Sequence, residues 1–302
     1  MREDRHSLGG IARECSGRGT YRDLAGHRIF TIDAPALGDE HDEPLLILHG
    51  FPTASFDFHL VLDGLRAHRR VCLVDFLGYG FSAKPDAAYT LAGQADIVTA
   101  FTAELGLREL ALLTHDMGDT VGGELLARQL EGSWPVEVTR RVLTNGSIYI
   151  GMAHLSPGQQ LLLALPDEQM PADGALDAAS VQAGLAATFS PASSVPDEEL
   201  AAQWDLISRN DGHRLLPRLI RYIEERRRDE ARYTGAIETH PSPLHVVWGV
   251  DDPIAVVDMT DRLRAARPDA VVELLDGVGH YPMIESPVRF AAAVRSGLTP
   301  SV

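Results

Sequence analysis

Cysteine is scarce in this chain: its 302 residues include two, Cys15 and Cys72. Neither lies in the short paired spacings of zinc sites or redox motifs, so no metal, cofactor or disulfide framework is expected. A reducing, cytoplasmic location is the default for such a chain. Positive charge is also short. Lys and Arg total 27 against 43 Asp and Glu, a formal net charge of -16. That balance argues against nucleic acid or an anionic membrane as a partner, and says nothing about a neutral substrate. No run of about 18 apolar residues occurs, so no membrane span is expected. The charged opening Met1-Arg2-Glu3-Asp4-Arg5-His6 lacks the apolar stretch of a signal peptide.

What is present is ordinary globular material, 45% apolar and 23% charged. Its length fits one large domain or a core with an inserted subdomain. Residues 1–19 read as an irregular N-terminal segment. From there, short apolar runs alternate with helical patterns. Arg28–Ile32, Leu45–Leu48, Val71–Val74, Leu110–Leu113, Arg141–Thr144, Leu244–Trp248 and Val271–Leu275 read as strands. Unbroken apolar strands separated by helices predict an α/β fold with a mostly parallel central sheet covered on both faces. Ligands on such sheets bind beyond the carboxyl ends of the strands. The alternation stops over 148–240, which holds helical patterns and a Pro/Ala/Ser-rich centre. This stretch is expected to be a helical cap inserted into a core of 20–147 and 241–302. Within it, 216–237 reads as one helix, and the charge run 224–232 as a solvated helix face held by i,i+4 pairs.

Chemistry concentrates after the strands. Thr114-His115-Asp116-Met117-Gly118 lies between the strand 110–113 and a helical segment, the pattern of a nucleophile elbow. An Asp at such a place can also simply cap the helix that follows. As a nucleophile, its carboxylate would attack an electrophilic carbon and form an alkyl ester, which suits epoxide opening or halide displacement better than acyl transfer. Such an ester needs a base to activate water. His280 in Gly277-Val278-Gly279-His280 follows the last strand and is the candidate among 12 histidines. Its orienting carboxylate is sought in Trp248-Gly249-Val250-Asp251-Asp252-Pro253, where Asp252 is preferred and Asp251 could serve the turn's own backbone donors. The backbone N–H groups of Phe51, in His49-Gly50-Phe51-Pro52, and of Met117 are the candidate oxyanion donors.

In order and spacing these motifs resemble the α/β-hydrolase fold, in particular its aspartate-nucleophile branch of epoxide hydrolases and haloalkane dehalogenases. The motifs are His49–Pro52, the Asp75–Ser82 glycine loop, His115–Gly118, Asp252-Pro253 and Gly279-His280. The runs Leu113–Val121 and Leu219–Arg226 are also similar to the mesoderm-specific transcript hydrolases. In the dehalogenases a Trp after the nucleophile and an Asn after the His-Gly hold the halide. Here Met117 and Phe51 stand there, with Trp204 of the cap as a possible substitute. Epoxide hydrolases donate a proton from cap tyrosines. Tyr222 falls at the late-cap position, while the first cap helix lacks its usual Tyr; Tyr149 and, more weakly, His154 could line the pocket. The resemblance implies an epoxide hydrolase using Asp116, His280, Asp252 and Tyr222. A haloalkane dehalogenase, another hydrolase with the same triad, or a non-catalytic small-molecule binder are the alternatives. The expected partners are a small apolar organic substrate and water, and the expected state is a monomer or homodimer.

Overall fold

The computed structural model describes residues 8–40 and 42–299. Eight strands form one sheet: β1 (Thr20–Leu24), β2 (His27–Ala34), β3 (Leu45–Leu48), β4 (Val71–Val74), β5 (Glu109–His115), β6 (Glu137–Thr144), β7 (Leu244–Gly249) and β8 (Val271–Leu275). Their spatial order is β1-β2-β4-β3-β5-β6-β7-β8. The pairs β1–β2 and β2–β4 are antiparallel, and every later pair is parallel. This is the α/β-hydrolase fold. Every residue of β3, β4 and β7 is buried, as continuous apolar runs require when helices cover both faces. The outer strands β1 and β8 expose several residues, so their sequences carry mixed polarity.

Parallel connections put the loops after β3 to β8 on one edge of the sheet. Asp75, Asp116, Asn145, Asp252 and His280 all lie in those loops. Between β6 and β7 the chain forms helices and no strand: Pro157–Ala164, Ala178–Ala186, Asp197–Ser208, Leu216–Leu219, Tyr222–Arg228 and Glu230–Thr239, with shorter 3-10 turns.

Three expectations need correction. Residues 10–16 are helical rather than irregular, and the helix packs on Asp197–Ser208 with Ala12 and Cys15 buried. Its glycine borders and shortness hide it from a periodicity reading; residues 1–7 lie outside the described residues. The single helix foreseen over 216–237 is three pieces, interrupted at 220–221 and at Asp229, whose backbone (φ -116°, ψ 24°) is not helical. The run 224–232 is a solvated face only in part: Glu224, Arg227 and Arg228 are exposed, but Arg226 is buried, and Arg232 pairs with Glu124 and Glu131 of the core. Among the described residues, no helix is long and apolar enough to cross a membrane.

Candidate active site

β5 delivers Asp116 into the turn before the helix Met117–Leu130. Asp116 sits at φ 50°, ψ -112°, a strained backbone for a residue with a side chain. It makes no side-chain capping bond to that helix, so its carboxylate is not engaged as an ordinary helix cap would be. Instead, Oδ2 accepts from the Phe51 amide at 2.8 Å. The loop after β3 comes this close because residue 50 is glycine: a Cβ there would stand 2.7 Å from Asp116 Cβ and 2.9 Å from its Oδ2. Met117 opens the helix, and its Sδ accepts from the Tyr79 hydroxyl at 3.3 Å.

The loops after β7 and β8 bring Asp252 and His280 together, with Nδ1 of the ring 2.7 Å from Asp252 Oδ2. Both side chains are buried. Asp252 is over-determined: Oδ1 accepts from the Ile254 and Ala255 amides at 2.8 and 3.0 Å, and Oδ2 also accepts from Asn145 Nδ2 at 2.8 Å. Asn145, after β6, is itself held by the Gly249 amide donating to its Oδ1 at 2.9 Å. Burial alone would lower the pKa of His280, but the charges of Asp252 and Asp116 outweigh it and raise it to about 9. Behind the ring, His115 Nε2–H donates to the His280 carbonyl at 2.8 Å. Burial, aided by His280, lowers the His115 pKa to about 4, so this imidazole is neutral and structural. The neighbouring Asp251 accepts from Ser190 Oγ at 2.6 Å, and so links the core to the helical insertion rather than to His280.

Tyr222 begins the helix Tyr222–Arg228 and packs its ring 5.6 Å from that of Phe51. Burial pushes the pKa of its phenol well up, and the Asp116 charge adds to the effect. The phenol therefore stays protonated and close enough to feel the elbow carboxylate. Tyr79, from the glycine loop after β4, shares this neighbourhood: its pKa is raised by burial and by Tyr222 and Asp116. A pocket opens between core and insertion, lined by Phe51, Pro52, Leu162, Val181, Leu185, Leu216, Ile254, His280 and Tyr281, among others. Its polar lining is partly committed: Ser156 and Gln159 cap each other's helix end, and Thr188 donates to Leu185 O. An apolar ligand fits such walls.

The other candidates lie elsewhere. Tyr149 is buried with its hydroxyl on Glu238 at 2.7 Å and the Arg262 guanidinium 4.0 Å over its ring. His154 is exposed, with its amide on Ile254 O. Trp204 packs against His213 at 5.4 Å. None of the three lines the pocket; of the predicted site residues only Phe51 and His280 do, while Asp116, Met117, Asp252 and Tyr222 are buried outside its lining. Reading the sequence missed Asn145, His115 and Arg226. Asn145 stands directly after a strand, the position that marked the other site residues. Arg226 was hidden in a charge run. Among the described residues, no cluster of three or more His, Cys, Asp or Glu is placed to hold a metal ion.

An elbow residue, a buried His–Asp pair and a backbone amide aimed at the elbow, all at the carboxyl edge of a parallel sheet, define a class. Residues 45–293 match the model of the alpha/beta hydrolase family, and the chain belongs to that family. It is an enzyme of the hydrolase class. LipZ of Mycobacterium tuberculosis is 39% identical over 286 residues, covering 94% of this chain and 96% of its own. The human mesoderm-specific transcript homolog protein is 34% identical over 284 residues, covering 91% of this chain and 84% of its own. Of solved structures, the haloalkane dehalogenase DbeA from Bradyrhizobium elkani superposes with a TM-score of 0.73 at 20% identity, covering 93% of this chain and 97% of its own, which shows a shared fold.

Proposed function

We propose that the protein hydrolyses epoxides to vicinal diols through an ester on Asp116, with the helical insertion acting as a cap over the site. The observation that carries the choice of substrate is Tyr222: a buried, protonated phenol beside Phe51 and within the field of Asp116. A leaving alkoxide oxygen needs a proton, and a phenol supplies one. A leaving halide needs only N–H donors. The Met117 and Phe51 side chains provide none, and Trp204 packs against His213.

The chemistry runs in two steps. An Asp116 oxygen attacks an epoxide carbon, the C–O bond breaks, and the freed oxygen takes the Tyr222 proton. His280, oriented by Asp252, then takes a proton from water, and the hydroxide adds to the ester carbonyl. The oxyanion is stabilised by the Phe51 and Met117 amides. Collapse expels the diol and restores the Asp116 carboxylate, and the proton held by His280 returns to the Tyr222 phenolate.

The test is the intact mass of a His280→Ala variant incubated with a panel of epoxides and haloalkanes. Without its base the protein should retain the ester. A gain equal to the whole epoxide supports the proposal. A gain of the alkyl group alone, with halide released, would make it a dehalogenase. Absence of any adduct on folded protein would overturn the ester mechanism.

A further inference from the structure

Arg226 is a charged side chain only 1% exposed, and its position is expensive. Its Nε donates to Thr120 Oγ1 at 2.7 Å, Nη1 to the Ser147 carbonyl at 3.1 Å and Nη2 to the Asp116 carbonyl at 3.3 Å. All three acceptors are neutral oxygens. A buried cation without a hydrogen-bonded carboxylate is a costly way to join a helix to a core, and an apolar side chain of similar volume would do so more cheaply. Asp119 is near enough for Arg226 to favour its charged form, yet burial prevails and raises its pKa well above the usual carboxylate range.

The three acceptors have something in common. One is the backbone of the elbow residue, and one lies on the nucleophile helix just beyond it. The third, Ser147, lies in the short loop after β6 whose Asn145 holds Asp252 Oδ2. The guanidinium carbon also stands 5.0 Å over the ring of Tyr222, one helical turn back. One side chain therefore touches the backbone of the attacking residue, the loop that steadies the partner of the base, and the ring of the proton donor.

We propose that Arg226 is a positioning residue of the hydrolytic site. It fixes the elbow and the Asn145 loop from the side of the insertion and aligns Tyr222 with Asp116 by the same set of contacts. This rests on the assignment of Asp116 as nucleophile and Tyr222 as proton donor. The insertion is thereby coupled to the chemistry: the site is in register only while the helix Tyr222–Arg228 is seated.

The test compares wild type, Arg226→Met and Arg226→Lys on an epoxide that alkylates the His280→Ala variant. Turnover is normalised to alkylatable sites, counted by intact mass on the matching proteins that also carry His280→Ala. Misplacement of reacting groups by about 1 Å costs on the order of 100-fold in rate. Arg226→Met should therefore lose about that factor in kcat with KM within about threefold, and Arg226→Lys, which keeps the charge and some donors, should recover part of it. A purely structural arginine would lower the folded fraction and leave kcat per site unchanged; that result overturns the inference. Should Arg226→Met fail to fold, Thr120→Val removes one acceptor. It is expected to lose about tenfold in kcat, the scale of one charge-assisted hydrogen bond, and unchanged kcat there also overturns the inference. Absence of any epoxide adduct on His280→Ala defeats the epoxide reading and this inference with it. An adduct forming normally while kcat per site is insensitive to Arg226 defeats this inference alone.

Discussion

His280 Nδ1 and Asp252 Oδ2 lie 2.7 Å apart with both side chains out of water, and the charge of Asp116 acts on the same ring. A resting pKa raised to about 9 would leave His280 protonated and useless as a base near neutrality. In the proposed mechanism ester formation changes this, because it would neutralise Asp116 and remove one of the charges that hold the proton. The ring should then titrate lower in the ester than in the free enzyme, releasing the base when it is needed. Comparing the pH dependence of ester decay with NMR titration of His280 in the resting protein tests this. Identical titration in both states would sink the idea. The pair also stabilises the fold: a histidine pKa raised above its unfolded value contributes fully below about pH 6.5 and loses that contribution as pH rises through about 9. Asp252→Asn should therefore cost more melting temperature at pH 6 than at pH 10.

Tyr222 is assigned to the first step alone. Tyr222→Phe keeps the ring against Phe51 and removes the proton. Alkylation of Asp116 should slow by on the order of 100-fold, the usual scale of general acid catalysis. Decay of an ester already formed should change little. Rapid-quench mass measurement separates the two steps, and an unchanged alkylation rate would remove Tyr222 from the mechanism.

The central strands and the loops after them were legible because burial on both faces leaves unbroken apolar runs, and because a parallel sheet puts all strand ends on one edge. Leu45–Leu48 and Val71–Val74 coincide with their strands residue for residue; Val271–Leu275 does so as well, although it is an edge strand with one buried residue. β1 escaped because Thr20–Leu24 is an exposed edge strand with one buried residue. Asn145 and Arg226 escaped for another reason: each acts through a contact between residues far apart in sequence, with Asp252 for one and Asp116 for the other. Local pattern does not encode such contacts. A run of arginines in particular looks solvated until the fold buries one of them.

Gly50 is required by proximity rather than by its backbone angles. A methyl group at this position would press on Asp116 Cβ at 2.7 Å and Oδ2 at 2.9 Å. The Phe51 amide would have to retreat from the carboxylate. Gly50→Ala should lose on the order of 100-fold in turnover through this displacement, with about 1–3 kcal/mol of overpacking strain in unfolding experiments. Wild-type kcat in this variant would show that the Phe51–Asp116 contact does not matter to the chemistry.

A second acidic cluster lies under the insertion. Asp57 Oδ2 accepts from Thr53 Oγ1 at 2.5 Å, and Oδ1 from Gln203 Nε2 at 2.8 Å. Glu199, one helical turn before Gln203, lies 3.5 Å from His59 Nε2. Burial raises Asp57 to about 7 and Glu199 to about 8; the charge of Asp75 adds to the rise of Asp57, and the charges of Asp57 and Glu198 add to that of Glu199. Burial lowers the pKa of His59, so it offers no compensating charge near neutrality. Both acids therefore bind protons more tightly folded than unfolded. Their stabilising contribution is complete below about pH 4, the range of free carboxyls. It is lost as pH rises through about 7 for Asp57 and about 8 for Glu199. Melting temperature should fall between pH 5 and pH 9, and Glu199→Gln, which keeps the shape and cannot ionise, should flatten that fall. Parallel melting curves for wild type and Glu199→Gln across this range would mean that Glu199 is already ionised in the folded protein and that its seat against the core is wetter than its burial implies.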